Sequence, residues 1–176
     1  MTTPPKMGRQ TLWAALEALG KRATEPVSLV LGGSAALILG DTLQRPTDDG
    51  DVVTSEPGFD QLGPLMRDVA DAEHLPPGWL NESIQSYTYI LPPDYTMRLV
   101  MLPPFGRLHV SLLSRRDVLL MKIYGMRPRD IEDIRALVPT SDELAFVAAQ
   151  VTRLAMKEPE KAQDMRDFLD EWAARG

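Results

Sequence analysis

The chain contains no cysteine, which excludes disulfides, thiolate metal sites and a cysteine nucleophile together. Histidine is nearly as scarce. His74 and His109 are the only two, too few for a histidine-rich zinc site. No run approaches the roughly 18 apolar residues of a membrane span, and the polar stretch Met1 to Gln10 has no apolar core of a signal peptide. These absences predict a soluble, cytoplasmic protein with no membrane partner. Internal repeats and low-complexity segments are also missing. A net charge of −6 argues against non-specific binding to a nucleic-acid backbone, while leaving room for a local basic groove.

What is present suits one domain with a helical appendage. The 176 residues, 44% hydrophobic and 25% charged, are enough to bury a core. Charge is unevenly placed. Asp41 to Glu73 holds nine acidic residues against two arginines, and Arg98 to Arg135 eight basic against four acidic. An acidic segment able to hold a metal, facing a basic one able to hold polyphosphate, suits a nucleotide enzyme; two solvated surfaces would give the same count.

Apolar periodicity gives the elements. Leu12, Leu16 and Leu19 mark a first helix stopping near Gly20. Val27–Leu31 reads as a buried strand, Ser34–Leu39 as a short helix, Asp49–Val53 as a strand and Phe59–Ala72 as an amphipathic helix. Gln85–Leu91 and Thr96–Leu102 read as an antiparallel pair, followed by a strand at Arg107–Leu113 in a meander. From Ser114 the period is helical. Capping-box spacing occurs at Ser114/Asp117 and Thr140/Glu143, Leu113 and Val118 suit a hydrophobic staple, and Pro128 suits a first helical turn. Pro159 interrupts the helix that Thr140 starts, and a last helix carries Met165, Phe168, Leu169 and Trp172 on one side. The predicted class is α+β, a mixed sheet with flanking helices and a C-terminal helical cap.

Two constellations carry chemistry. In Gly32-Gly33-Ser34, the glycines let a backbone approach a ligand closely, the following helix presents N–H groups to an anion, and Ser34 adds a hydroxyl. The same triplet suits a plain strand-to-helix turn with Ser34 as N-cap. In Arg45-Pro46-Thr47-Asp48-Asp49-Gly50-Asp51, strand alternation places Asp49 and Asp51 on one face, roughly 6–7 Å apart. There they offer hard oxygen ligands for Mg²⁺; an acidic turn is the alternative.

Together, Gly32-Gly33-Ser34 and Arg45-x-Thr47-x-Asp49-x-Asp51 resemble the nucleotidyltransferase (polymerase-beta-like) superfamily, in particular its small bacterial branch related to AbiEii-type toxins of toxin–antitoxin and phage-defence systems. Downstream, Asp117 and Lys122, then Arg127-Pro-Arg129-Asp130-Ile-Glu-Asp133, resemble a second block of that branch. The resemblance covers about Leu29 to Leu137. The first helix and the region after Val138 lie outside it; with the element order, the predicted organisation is a nucleotidyltransferase-like domain over 1–138, the first helix at 9–20 included, and a helical extension over 139–176 packed on it. The resemblance implies that Gly32, Gly33 and Ser34, with Arg45 and Thr47, bind the nucleotide, that Asp49 and Asp51 hold Mg²⁺ or Mn²⁺, and that Lys122 reaches a phosphate or the incoming nucleotide. Asp130 and Asp133 become additional catalytic acids, and Arg127 and Arg129 phosphate partners. The implied reaction moves a nucleoside monophosphate from an NTP to a hydroxyl of RNA, tRNA included, or of a protein, with a toxin–antitoxin protein partner.

Two features depart from the superfamily pattern. Gly50 stands where an apolar residue usually packs, and neither later strand carries a third acid. They motivate a second reading, a catalytically inactive nucleotidyltransferase-fold protein acting as a binding partner or antitoxin. Read without the upstream motif, Lys122 is a snorkelling side chain, Asp130 a first-turn acid favoured by the helix dipole, and Asp133 a partner of Arg129 four residues away.

Overall fold

The computed structural model of the chain describes residues 5–175; Met1–Pro4 of the polar N-terminus and Gly176 lie outside them. Its framework is a five-stranded mixed sheet with helices packed on one face. In chain order the elements are α1 (Arg9–Arg22), β1 (Val27–Gly32), α2 (Gly33–Leu39), β2 (Gly50–Glu56), α3 (Phe59–Ala72), β3 (Leu80–Asn81), β4 (Val100–Met101), β5 (Leu108–Leu112), α4 (Arg115–Gly125), α5 (Pro128–Leu137), α6 (Ser141–Leu154) and α7 (Pro159–Arg175). Strand order is β3-β2-β1-β5-β4. β1 runs antiparallel to β2 and parallel to β5, and β3 is parallel to β2. Val27, Leu29 and Leu31 of β1 and Leu108, Val110 and Leu112 of β5 point into the core, while Ser28 and His109 face outward. This two-residue period is that of a sheet covered on one side.

The helix α2 is apolar all round and sits inside the molecule, with Ala35 to Leu39 all buried, as a helix without a polar face must. It follows β1 without a linker, so the Gly32–Gly33 step is set by the sheet. Among the described residues no helix is long and apolar enough to cross a membrane.

Several expectations need correction. The meander does not form. Ser83–Ile90 and Tyr95–Arg98 are 3₁₀ helices, and only Val100–Met101 pairs with β5. Strand-favouring side chains suggested extended chain, yet Ile84, Tyr87 and Ile90 recur every third residue, the 3₁₀ period, and both isoleucines are buried. The hydroxyls of Ser86 and Thr88 donate to the carbonyls of Ser83 and Gln85, holding the backbone in turns. Nor does Gly20 stop α1: it lies within the helix because the Phe105 carbonyl packs against it, and a Cβ there would be 1.7 Å from that oxygen. β2 begins at Gly50 and runs to Glu56, leaving Asp49 just ahead of it. Pro159 does not interrupt a helix. α6 has already ended at Leu154, and the proline opens α7.

The local signals downstream are realised. Ser114 accepts from the Asp117 N–H, with Leu113 and Val118 both buried beside it. Thr140 and Glu143 form a reciprocal capping box, and Pro128 opens α5. Helices α6 and α7 pack against α4 through buried Val147, Val151, Leu154, Ala162 and Met165.

Candidate active site

Register brings the two sequence constellations together. Gly32 at the end of β1 pairs with Asp51 on β2, so the Gly-Gly-Ser turn and the carboxylates meet at one edge of the sheet. Gly33 has φ +57°, and a Cβ on it would lie 2.0 Å from Asp51 Oδ2. Only glycine permits both the backbone conformation and the carboxylate's position. Asp49 is held by Asn81, whose amide donates to Oδ2 at 2.8 Å, and Thr47 donates to the Asp49 carbonyl at 3.1 Å. Thr47 in turn exchanges two backbone hydrogen bonds with Met7.

These residues line a cleft of about 260 Å³ whose far wall is α4 and the start of α5, including Lys122, Arg127, Arg129 and Asp130. Gly33, Ser34, Thr47, Asp49 and Asp51 line it as well. Gly32 faces Val53, Ile84 and Leu113 in the core instead. Arg45 and Asp133 stand behind the wall.

Asp133, 1% exposed, is the hub of that inner layer. Arg45 donates to both its oxygens, at 2.5 and 2.6 Å, Lys122 Nζ lies 2.7 Å from Oδ2, and the Ser34 hydroxyl donates to Oδ2 at 3.0 Å. Ser34 is therefore not an N-cap; it sits inside α2 with its hydroxyl turned to α5. Lys122 does not snorkel. Its ammonium is buried and reaches Asp133, Asp130 Oδ1 at 3.2 Å and Ser34 Oγ at 3.2 Å, a partner for each N–H. Asp130 also accepts from the Arg127 guanidinium at 2.8 Å and from its backbone N–H. Arg129 pairs with Asp48 across the cleft mouth, not with Asp133.

The electrostatics follow from this layout. Burial, with the negative charge of Asp49 next in importance, pushes the Asp51 carboxyl up to about 6, against the opposing pull of Arg127 and Lys122. Burial also raises Asp133, but Arg45 and Lys122 outweigh it and hold the carboxyl below its ordinary value. One carboxylate is thus short of positive charge and the other saturated with it.

A divalent cation fits the first. Asp49 and Asp51 supply hard oxygens, Gly33 keeps the space beside Asp51 clear of a side chain, and phosphate and water oxygens would complete the ligand set. Among the described residues no three His, Asp or Glu side chains cluster as a metal site; both helical acids, Asp130 and Asp133, are engaged by Lys122 and arginines. Gly50 is accounted for by its neighbour. A Cβ there would lie 2.8 Å from Leu80 Cδ2, so the β3 leucine fills the volume an apolar side chain would take.

Sequence reasoning missed Asn81 and Tyr87. Asn81 is brought to Asp49 by the β2–β3 register, Asp51 opposite Asn81, and no local pattern marks it. Tyr87 lines the cleft from the first 3₁₀ helix, and the three-residue spacing Ile84–Tyr87–Ile90 was the available signal.

A mixed sheet, a Gly-Gly-Ser strand-to-helix turn and paired carboxylates at the start of the next strand define a nucleotidyltransferase-like protein. A family model described as "Nucleotidyltransferase of unknown function (DUF6036)" matches residues 10–173, and the chain belongs to that family. No curated protein and no solved structure matches the chain.

Proposed function

We propose that this protein transfers a nucleoside monophosphate from an NTP to a hydroxyl of RNA, tRNA included, or of a protein, with Mg²⁺ or Mn²⁺ held by Asp49 and Asp51. The observation that carries the reading is the shared cleft: the Asp49 and Asp51 carboxylates on one wall, with the Asp51 carboxyl pushed up by burial, the Gly33–Ser34 turn beside them, and Lys122, Arg127 and Arg129 opposite. In the reaction the acceptor oxygen forms a bond to the α-phosphorus as the bond to pyrophosphate breaks. The cation, when bound, neutralises phosphate charge and makes the attacking hydroxyl more acidic. Gly33 admits the triphosphate close to the backbone. Lys122, fixed by Asp133 and Asp130, and the two arginines face the charge that builds on the leaving pyrophosphate. Asp133 orients Lys122, Arg45 and Ser34 from behind and does not itself face the cleft.

Likeness of the Lys122 to Asp133 block to AbiEii-type toxins supports placement within a toxin–antitoxin or phage-defence system, with a protein partner. The full engagement of Asp130 and Asp133 by cations favours one alternative, a nucleotidyltransferase fold that binds a partner without turnover. Incubation with each α-labelled NTP and total RNA tests both. Labelled RNA or protein from the wild type, lost at least about a hundredfold in Asp49→Ala, supports transfer. No label with any NTP, together with a co-purified protein, supports the alternative.

A further inference from the structure

Beside the metal-side wall of the cleft lies a tyrosine cluster that the reaction as described does not use. Tyr87, half-buried, lines the cleft and stacks on Tyr124 of α4, with ring centroids 6.3 Å apart and planes 16° from parallel. Tyr124 is fixed from several sides. Its hydroxyl lies 2.8 Å from the Tyr89 hydroxyl and donates to Glu158 Oε2 at 2.9 Å, and Lys161 of α7 sits over its ring at 5.1 Å. Tyr89 meets the Tyr124 ring edge-on. Tyr87 alone in its 3₁₀ segment leaves helical geometry, at φ −133° and ψ 21°. It lines the cleft together with Asp49 and Asp51 of one wall and Arg127 and Asp130 of the other.

We propose that Tyr87, backed by Tyr124, is the platform on which the nucleobase of the incoming NTP stacks. This rests on the nucleotidyltransferase reading of the same cleft and adds to it the group that tells a nucleotide from bare polyphosphate. The carboxylates, Gly33 and the cations all address phosphate and metal. Among the residues lining this cleft, Tyr87 is the one aromatic surface, and a ring already stacked on one face and held from behind loses little freedom when a base packs against it. Stacking on a ring accepts any base, since every base has a π-face, and removing such a ring weakens binding on the order of tenfold to a hundredfold. The backing residues come from α4 and from the start of α7, so Lys161 of that helix and Glu158 just ahead of it contribute to the nucleotide site without touching phosphate.

Calorimetric titration of the full-length protein in Mg²⁺ separates the outcomes, using each of the four NTPs and, as a base-free probe, inorganic tripolyphosphate. The expected result is that wild type binds at least one NTP more tightly than tripolyphosphate. Tyr87→Leu, which keeps apolar volume, and Tyr87→Ala should both weaken that NTP about tenfold or more and leave tripolyphosphate unchanged, while Tyr87→Phe stays within about twofold of wild type. Equal weakening of NTP and tripolyphosphate would show that Tyr87 only supports the fold, and an unaltered NTP affinity would show that no base rests there; either overturns the platform. A loss confined to a short single-stranded oligoribonucleotide, with NTP binding intact, assigns the ring to the acceptor and overturns it too. Wild type binding neither NTP nor tripolyphosphate overturns the cleft's nucleotide reading itself.

Discussion

Asp51, which lines the cleft, and Asp133, which stands behind its far wall, respond to acid in opposite senses. The folded Asp51 carboxyl titrates near 6 against an ordinary 3.8, so between those values the folded state holds the extra proton and stability falls as pH rises, levelling off above about 6. At neutral pH the ionised carboxylate then opposes folding by about 3 kcal/mol. In cation-free protein, Asp51→Asn should raise stability by about 1–3 kcal/mol at pH 7.5, a gain shrinking toward zero near pH 4, as urea midpoints will report. Asp133 behaves conversely. Its folded value is lowered, so its contribution is complete above the ordinary 3.8 and is lost as pH falls through the lower folded value. Asp133→Asn should destabilise by about 3–5 kcal/mol at neutral pH, because Lys122 and Arg45 are left without their shared counter-charge. Gly33→Ala is a third residue-scale case. With φ +57° and Asp51 Oδ2 in the Cβ position, the substitution should cost about 1–3 kcal/mol in thermal stability and displace the carboxylate, removing NTP-dependent label transfer.

Among the elements, those whose signals are local were legible. The capping box at Thr140/Glu143, the Ser114 hydroxyl that caps the Asp117 N–H and the opening Pro128 need only neighbouring residues to act, and they start α6, α4 and α5 where the spacing predicts. The stretches Gln85–Leu91 and Thr96–Leu102 read as strands because their aromatic and branched side chains are shared by strands, whereas in Ser83–Ile90 the turns are chosen by the hydroxyls of Ser86 and Thr88 and by burial of Ile84 and Ile90. The site divides the same way. Gly33, Asp49 and Asp51 follow from motif spacing, whereas Asn81 and Tyr87 reach the cleft only through β3 pairing and a 3₁₀ kink that depend on the finished sheet. Gly20 gives the clearest element-scale test. Replacing a helical glycine by alanine normally stabilises by about 1 kcal/mol. Here the Phe105 carbonyl occupies the Cβ position, so Gly20→Ala should instead destabilise by about 2 kcal/mol, measured by urea denaturation.

At the scale of the molecule, the C-terminal helices are part of one structure with the sheet. Glu143 of α6 pairs with Arg115, Phe146 lies against the guanidinium groups of Arg98 and Arg116, and Glu158 and Lys161 hold Tyr124. A chain ending at Val138 should therefore lose its cooperative heat-unfolding transition in calorimetry, since α4 would expose the apolar side that Val147, Val151 and Met165 now cover. The inner polar layer has a consequence in time as well as in energy. Ser34 and Arg45 meet Asp133 across 99 and 88 residues of chain, so while the protein is being made the cleft has only its first wall. The carboxylate pair emerges early and stays without Lys122 until α4 and α5 have left the ribosome and docked. The growing polypeptide is thereby silent by construction, and the activity proposed for the cleft would begin only once α4 and α5 have joined the sheet.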